Sequence, residues 1–297
     1  MKYFNIAGPC NNREHYMIDA TTRLHGVEQL IEGRQYFLIH AAQQSGKTTC
    51  LRDLSQRLNT KGQYYTLYCS LESVQGVNEP ERGIPAILDC LFVAMQKLPV
   101  SFTWDKSYGQ DKKSRSLVLL TLFLTDLSKC LDKPLVIFFD EADCLSEETL
   151  ISFLGQLRDG HNSQSFPHSI ALVGMCDTRD YKARISPDSE TKGSVSPFNI
   201  ITESLTLQNF TKEEIVQLYK QHTDETGQIF EDTAVERVWE QTQGQPWFVN
   251  AVAHEVIDEI LQSDYTKPVT AELVYEASQN IFLTRPTHID NLLGQLR

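Results

Sequence analysis

The residues with the clearest chemistry are Gly46, Lys47 and Thr48, which end the segment 41–48, Ala-Ala-Gln-Gln-Ser-Gly-Lys-Thr. This segment directly follows the apolar run 36–40, which is predicted to be a strand. A loop that leads from a strand into a helix points backbone N–H groups at an anion, and the helix dipole adds to the attraction. The Lys47 ammonium would reach the β- and γ-phosphates of a nucleotide, and the Thr48 hydroxyl would bind Mg²⁺. We expect the nucleotide to contact Ala42, Gln43, Gln44, Ser45, Gly46, Lys47, Thr48 and Thr49.

Ala41 stands where such a phosphate-binding loop (P-loop) usually has its first glycine, whose backbone freedom permits a tight turn. Taken alone, the eight residues also fit a solvated loop with a surface lysine and a threonine that begins a helix. The residues that follow decide between the two, because Leu51, Leu54 and Leu58 lie at helical spacing. The helix that a P-loop requires therefore begins at once.

A second candidate element is the apolar run 135–139, which ends in Asp140 and Glu141. Its uniform hydrophobicity is typical of a central strand buried on both faces. An acid at the end of such a strand is costly unless it binds a cation or accepts hydrogen bonds. We therefore predict that Asp140 holds Mg²⁺ and that Glu141 orients an attacking water as general base. Without the P-loop upstream, the two acids would fit an ordinary turn; Asp143 is predicted to be a helix N-terminal acid.

Strand-like and helical patterns alternate through the first two thirds of the chain, which predicts an α/β fold with a five-stranded parallel sheet. The strands are predicted near residues 36–40, 64–70, 135–139, 169–174 and 203–207. The helices are predicted near residues 48–59, 83–97, 116–131 and 147–158. The carboxyl ends of parallel strands share one edge, where ligands bind. The loop 184–197, rich in Ser, Pro and charge, is predicted to be mobile.

After residue 207 the pattern is helical only. Thr211 and Glu214 form a capping box that opens a helix through about residue 223, and Gly227 ends it. A further helix is predicted at 233–242, and Gly244-Gln-Pro-Trp247 leads into one that ends near residue 262. We therefore predict a P-loop core at 1–207 and a helical lid domain at 208–297.

Charge and cysteine usage limit the partners and the compartment. The 297 residues include 39 acidic and 27 basic ones, for a net charge of −12, which disfavours DNA and anionic membranes. The seven cysteines are isolated, without zinc-ligand spacing, as expected in a reducing cytosol. There is no signal-peptide pattern, and the longest apolar run, 117–124, is too short to cross a bilayer. We expect a soluble cytoplasmic protein with no membrane partner.

Over essentially its whole length, the chain resembles the bacterial AAA-like ATPases related to the STAND and archaeal-type ATPases. The segments that carry the resemblance are 4–9 (Phe-Asn-Ile-Ala-Gly-Pro), 40–49, 139–141 with Asp143, 171–174 with 179–181, 196–199 (Ser-Pro-Phe-Asn) and 244–247. The resemblance implies an additional-strand (ASCE-type) core, in which the fourth strand lies between the P-loop strand and the Asp-Glu strand. It also implies a C-terminal helical or winged-helix lid.

The resemblance assigns roles to single residues. Lys47 and Thr48 match the Walker A positions, and Asp140 and Glu141 match Walker B. The strand 169–174 would be the sensor-1 strand, which places Asp177 or Arg179 near the γ-phosphate. Gly244 and Pro246 resemble the Gly-x-Pro element that carries the lid over the nucleotide. The segment that includes Gly8 and Pro9 resembles the stretch near the adenine.

Two positions depart from the family pattern, because Gln43 and Cys176 stand where arginines are frequent. Fewer cations near the phosphates would weaken transition-state stabilisation, which leaves open slow hydrolysis or nucleotide binding with little turnover. Arg179 is the best intrinsic replacement as a catalytic cation; the alternative is a surface arginine paired with Asp180. His40 is expected to be a satisfied core histidine and Trp247 a packing aromatic. The guanine-specific Asn-Lys-x-Asp element is missing from the sequence, which favours ATP over GTP.

The predicted function is an ATP-binding protein that hydrolyses ATP with Mg²⁺ to drive or switch a partner. Two alternatives stay open: a nucleotide-dependent switch or scaffold with negligible hydrolysis, and a DNA-associated ATPase. A protein effector or a second copy of the chain is the expected partner. The chain ends soon after a predicted lid helix, so we expect a short form whose effector lies elsewhere.

Overall fold

The computed structural model describes residues 1–100, 102–103, 117–161, 165–177, 179–181 and 197–284, without the side chains of Ala20, Thr21, Pro197 and Phe198. The predicted mobile loop 184–197 lies outside these residues except for its last position. The chain divides into two compact units. The first unit contains Met1–Arg23, Ala41–Cys50 and Leu207–Arg297, and the second contains Leu24–His40 and Leu51–Thr206.

A five-stranded sheet forms the centre of the second unit. Its strands are β1 Tyr36–His40, β2 Tyr65–Ser70, β3 Leu135–Asp140, β4 Ser169–Gly174 and β5 Ile201–Thr206. The order is β2-β3-β4-β1-β5, and every pair is parallel. This confirms the predicted α/β fold, including the strand β4 between β1 and β3. All five carboxyl ends therefore share one edge of the sheet.

The burial of each strand explains how well its bounds were predicted. Every residue of β3 and β4 is buried, as their apolar sequences require. Among the residues that the structure describes, β5 pairs with β1 alone, and most of its own residues are exposed. Because an exposed edge strand carries little hydrophobic pattern, its prediction at 203–207 was offset from the observed Ile201–Thr206.

The helices, in chain order, are α1 Ala20–Arg23, α2 Val27–Glu32, α3 Lys47–Lys61, α4 Pro80–Met95, α5 Leu119–Cys130, α6 Glu147–His161, α7 Lys212–Thr226, α8 Asp232–Thr242, α9 Pro246–His254 and α10 Ala271–Thr284. The π-helical segment Glu255–Ile260 continues α9. The four predicted core helices correspond to α3–α6; the start of α6 matches, and the other ends differ by one to three residues. Within the described ranges, we find no helix that is long and apolar enough to cross a membrane.

The first unit packs its helices around its own apolar core, which includes Phe4, Tyr16, Tyr219, Phe248 and Val256. Its first predicted cap is confirmed, since Glu214 N donates to Thr211 Oγ1 at 3.2 Å and Thr211 N donates to Glu214 Oε2 at 2.9 Å. Gly227 ends α7 in the left-handed conformation, with φ of 79°. The pattern did not predict α1, α2 or α10. That the helices after residue 207 act as a lid stays a prediction.

Candidate functional site

The P-loop of the first unit connects the end of β1 at His40 to the start of α3 at Lys47. Gln44 and Gly46 have positive φ angles, 59° and 83°, so the backbone reverses its curvature twice before the helix. Such alternation turns backbone N–H groups toward a common point and forms a concave anion site. Cys50 N donates to Gly46 O at 2.9 Å, so the first helical turn follows the loop directly.

Lys47 is held inside the loop that it is predicted to serve. Its Nζ donates to Ala41 O and to Ala42 O, at 2.9 Å each, and the side chain is only 7% exposed. The Ser45 hydroxyl is also buried, and it has no hydrogen-bond partner among the described residues. Gln43 is exposed, and Thr48 lies half-buried in the first turn of α3. A buried ammonium, a free hydroxyl and a helix N-terminus form a donor set that fits phosphate oxygens.

The segment before α1 contains a turn formed by Asn5. Ala7 N donates to Asn5 Oδ1 at 3.2 Å, and Asn5 Nδ2 donates to Gly8 O at 3.0 Å. Gly8 has φ of 68°, which favours glycine there, and Gly8 and Pro9 are exposed. The structure thus brings Gly8 and Pro9 into a preformed turn.

Two contacts hold this turn within the first unit. Cys10 N donates to Thr49 Oγ1 in α3 at 3.0 Å, and Trp247 Nε1 in α9 donates to Ile6 O at 3.0 Å. The Thr49 hydroxyl therefore anchors the N-terminal segment. Trp247 is buried, in line with the packing role expected of it.

The Gly-Gln-Pro element contacts the P-loop through its middle residue. Gln245 caps α9, since its Oε1 accepts from Phe248 N at 2.6 Å, and Pro246 occupies the first turn, where proline is favoured. The Nε2 of the same side chain donates to Gln44 O at 3.2 Å. The sequence pattern singled out Gly244 and Pro246 but not Gln245, because the motif leaves its middle position open.

The predicted acids lie in the second unit, at the carboxyl end of β3. Asp140 is fully buried; its Oδ2 accepts from the Tyr68 hydroxyl at 2.8 Å, and its Oδ1 accepts from Glu141 N at 3.0 Å. Glu141 has φ of 58°, a left-handed conformation that is uncommon for residues other than glycine. The sequence did not reveal Tyr68, which ends up beside Asp140 only because β2 and β3 are neighbours.

Asp143 connects the ends of two strands of the second unit. It lies in the 3₁₀ turn Ala142–Cys144, and its carboxylate accepts from Met175 N, just after β4. A Cβ on Gly174 would lie 2.3 Å from Asp143 Oδ2, so glycine is needed for this approach. Asp143 thus fixes the turn that follows Glu141.

Arg179 is placed at the surface of the second unit. Its side chain is 93% exposed, and Nε lies 3.7 Å from Asp177 Oδ2. Arg179 is therefore a surface arginine, as in the alternative to a catalytic role, but its partner is Asp177 and not Asp180. Asp177 Oδ1 also accepts from Arg179 N at 2.6 Å and Asp180 N at 3.0 Å. These backbone hydrogen bonds, first the one from Asp180, lower the pKa of the Asp177 carboxyl.

His40 has partners on both ring nitrogens. Nδ1 lies 3.1 Å from Ser204 Oγ and Nε2 lies 2.9 Å from Thr206 Oγ1, both on β5. The prediction that His40 is satisfied is confirmed, whereas its placement in the core was wrong, because the side chain is only partly buried beside the exposed edge strand β5.

Comparison with known proteins gives a family and a set of similar folds. A family model described as an AAA-like domain matches residues 11–280. The Walker-type ATPase of Pyrococcus abyssi is similar over 98% of this chain and 80% of its own, with a TM-score of 0.65 and 16% identity. The ORC2 protein of Aeropyrum pernix, solved as ADPNP–ADP complexes, has a TM-score of 0.51 and 14% identity over 88% of this chain and 65% of its own.

A third similar structure is the RuvB Holliday junction branch migration motor of Thermotoga maritima. Its TM-score is 0.50, with 14% identity over 88% of this chain and 67% of its own. At these identities the likeness concerns the fold. The comparison with curated proteins gave no match.

Proposed function

This chain belongs to the AAA-like domain family, and on that premise we propose that it binds ATP and hydrolyses it with the help of Mg²⁺. The observation that carries the proposal is the P-loop itself. Its left-handed Gly46 and its buried Lys47, held by two loop carbonyls, support a phosphate site that is organised before any ligand binds. A preorganised donor set spends little free energy on reorganisation when the anion binds.

The roles that we propose follow the chemistry of each side chain. Lys47 and the loop N–H groups bind the phosphates. Thr48 and Asp140 hold Mg²⁺, which, when bound, offsets phosphate charge and orients the phosphate oxygens. Tyr68 keeps the Asp140 carboxylate in one orientation through its hydrogen bond. Glu141 positions a water and accepts its proton.

The base and the ribose are assigned to the first unit. We propose that Gly8, Pro9 and Pro246 border them, since the Asn5 turn and the start of α9 are both built rigidly there. Gln245 connects this region to the phosphates through Gln44 O.

The test uses Glu141→Gln with Glu148→Gln as the matched control, because Glu148 is an exposed acid in the first turn of α6. We expect Glu141→Gln to bind ATP with unchanged affinity and to release no phosphate, whereas Glu148→Gln behaves as the wild type. Calorimetry measures binding and a phosphate assay measures turnover. Phosphate release at the wild-type rate by Glu141→Gln would refute the role of Glu141.

A second candidate function, a nucleotide-dependent switch with negligible turnover, is favoured by one observation. Gln43 and Cys176 provide no cation where the resembling family often has arginine, and Arg179 is exposed at the surface. A single-turnover assay over hours distinguishes the two functions. A switch retains bound ATP, whereas an ATPase converts it to ADP and phosphate.

We propose a protein effector or a second copy of the chain, in the cytoplasm, as the partner that ATP drives or switches. A DNA-associated role is suggested by the branch migration motor of similar fold, but the net charge of −12 opposes it. Salt-dependent binding of duplex DNA by the isolated chain, measured by fluorescence anisotropy, would reverse this preference.

A further inference from the structure

A buried arginine lies directly beside the P-loop in the first unit. Arg23 ends α1 and is 8% exposed. A Cβ built on Gly46 would lie 3.1 Å from Arg23 Nη1, and the same nitrogen lies 3.4 Å from Cys50 Sγ, one turn into α3. The guanidinium thus lies against the first turn of the helix that follows the loop.

The positive charge of Arg23 is contacted by neutral groups, namely a carbonyl, a thiol and an aromatic ring. Among the described residues it forms no ion pair with a carboxylate, and its buried Nε has no hydrogen-bond partner. Its neighbours in the loop are also positive, since Lys47 carries an ammonium and a helix N-terminus carries about half a positive charge. Burying a guanidinium among like charges is costly unless an anion offsets them. The arrangement therefore calls for a strongly charged anion at the P-loop.

We propose that Arg23 is a positioning residue for the phosphates of the nucleotide and that it makes the site selective for di- and triphosphates over monophosphates. This proposal rests on the proposed function, because it concerns the same P-loop. Arg23 raises the positive potential at the loop and supports Gly46 from behind, so it acts through the loop rather than by contact with the ligand. It supplies a cation in a region where the exposed Gln43 supplies none.

The same side chain joins the P-loop to the Gly-Gln-Pro element. Arg23 Nη2 donates to Gln208 O at 2.6 Å, and its guanidinium carbon lies 4.7 Å from the centre of the Phe210 ring. Phe210 N in turn donates to Gly244 O at 2.8 Å. The Gly-Gln-Pro element therefore reaches the P-loop in two ways: directly, through the hydrogen bond from Gln245 to Gln44 O, and indirectly, through Phe210 and Arg23. Anion binding beside Arg23 is thereby coupled to the start of α9.

The test compares Arg23→Met and Arg23→Lys with the wild type. Methionine approximates the length of the arginine stem without its charge, and lysine keeps the charge while losing the fork that reaches Gln208 O. The control is Arg237→Met, in the same unit, where the arginine is exposed and paired with Glu240 at 3.3 Å. Calorimetry with ATP, ADP, AMP, adenosine and inorganic pyrophosphate gives a dissociation constant for each ligand.

For Arg23→Met we expect the dissociation constant of ATP to rise about tenfold or more, that of ADP to rise less, that of AMP about twofold, and that of adenosine to stay unchanged. Arg23→Lys should keep the wild-type ratio of ATP to AMP affinity, even if all affinities fall. Arg237→Met should match the wild type. This graded loss follows phosphate charge, which a merely structural role would not reproduce.

An equal loss for all five ligands, or no loss, in Arg23→Met would overturn the proposal. If Arg23→Met does not fold, Arg23→Lys provides the test. Loss of the wild-type preference for ATP over AMP in this variant, which retains the charge, would also overturn the proposal. Failure of the proposed function gives a separate signature: the wild type binds pyrophosphate but not ATP. In that case a selective loss of pyrophosphate binding in Arg23→Met still supports the proposal for Arg23.

Discussion

Two glycines of the first unit share one backbone conformation but differ in what surrounds them, and this difference can be measured. Gly244 has φ of 72° and Gly227 has φ of 79°. A Cβ on Gly227 would have no atom within 4 Å, whereas a Cβ on Gly244 would lie 1.9 Å from Phe210 O and 3.0 Å from Trp239 Cζ3. Alanine therefore meets the same backbone strain at both positions but clashes only at 244.

The backbone cost of a left-handed alanine is about 1–2 kcal/mol, and we expect Gly227→Ala to lose no more than that. In Gly244→Ala, Phe210 O must move by about 1.5 Å to reach ordinary van der Waals contact, which adds about 1–3 kcal/mol of overpacking. The same movement disturbs the 2.8 Å hydrogen bond from Phe210 N to Gly244 O, worth about 1 kcal/mol. Gly244→Ala should therefore lose about 3–6 kcal/mol of the free energy of unfolding.

Urea unfolding followed by tryptophan fluorescence provides the assay, because Trp239 and Trp247 belong to the first unit. The measured quantity is the difference between the urea midpoints of the two variants. When the slopes of their unfolding curves are equal, this difference reflects a change in the free energy of unfolding. Equal losses in Gly244→Ala and Gly227→Ala would refute the reasoning, since it attributes the excess to the contact with Phe210. We also expect Gly244→Ala, but not Gly227→Ala, to weaken ATP binding, because Gln245 directly follows residue 244 and contacts the P-loop at Gln44 O.

Two further predictions concern buried hydrogen bonds. Tyr68→Phe should lower the free energy of unfolding of the second unit by about 1–3 kcal/mol, because it removes a hydrogen-bond donor from the fully buried Asp140. The control is Tyr65→Phe on the same strand, which removes a hydrogen bond to the exposed Asp132 and should change that free energy by less than about 0.5 kcal/mol. Equal urea midpoints for the two variants would contradict this prediction. Burial lowers the pKa of His222 in the folded protein. Above about pH 6.5 the imidazole is neutral in the folded and the unfolded protein, so His222 does not reduce the free energy of unfolding. At lower pH the unfolded chain takes up a proton that folded His222 does not, so the free energy of unfolding falls. His222→Gln should therefore lose less thermal stability than the wild type between about pH 8 and about pH 5.5, whereas identical pH profiles would rule out His222 as the cause.

The fold and the two nucleotide motifs could be predicted because each rests on a local pattern. Strand β3 is apolar up to its last residue, Asp140, and the P-loop connects a strand to a helix within a dozen residues, so their signals lie inside short windows. The capping box at Thr211 is equally local and was confirmed. Edge strand β5 was predicted with shifted bounds, since its exposed side chains follow no hydrophobic period.

Three residues of the candidate site could not be predicted, and each depends on a partner that is distant in the chain. Tyr68 meets Asp140 across 72 positions, Gln245 meets Gln44 across 201 positions, and Arg23 meets Cys50 across 27. No periodicity or motif spacing links such pairs. Their roles follow from strand order and helix packing, which pattern analysis does not provide.

The sequence by itself determined the fold class and the residues to which we assign the proposed chemistry: a P-loop with Lys47 and Thr48, acids at the end of a buried strand, and a parallel sheet to carry them. These depend on residue type and on contacts between neighbours in the chain, which a sequence states directly. Only the tertiary structure decided which additional cation lies beside the P-loop, where Gln43 supplies none. The buried guanidinium of Arg23 lies beside Gly46 and Cys50, which follow it by more than twenty positions in the chain. Electrostatic interactions act through space and not along the chain, so their balance became visible only in the folded molecule.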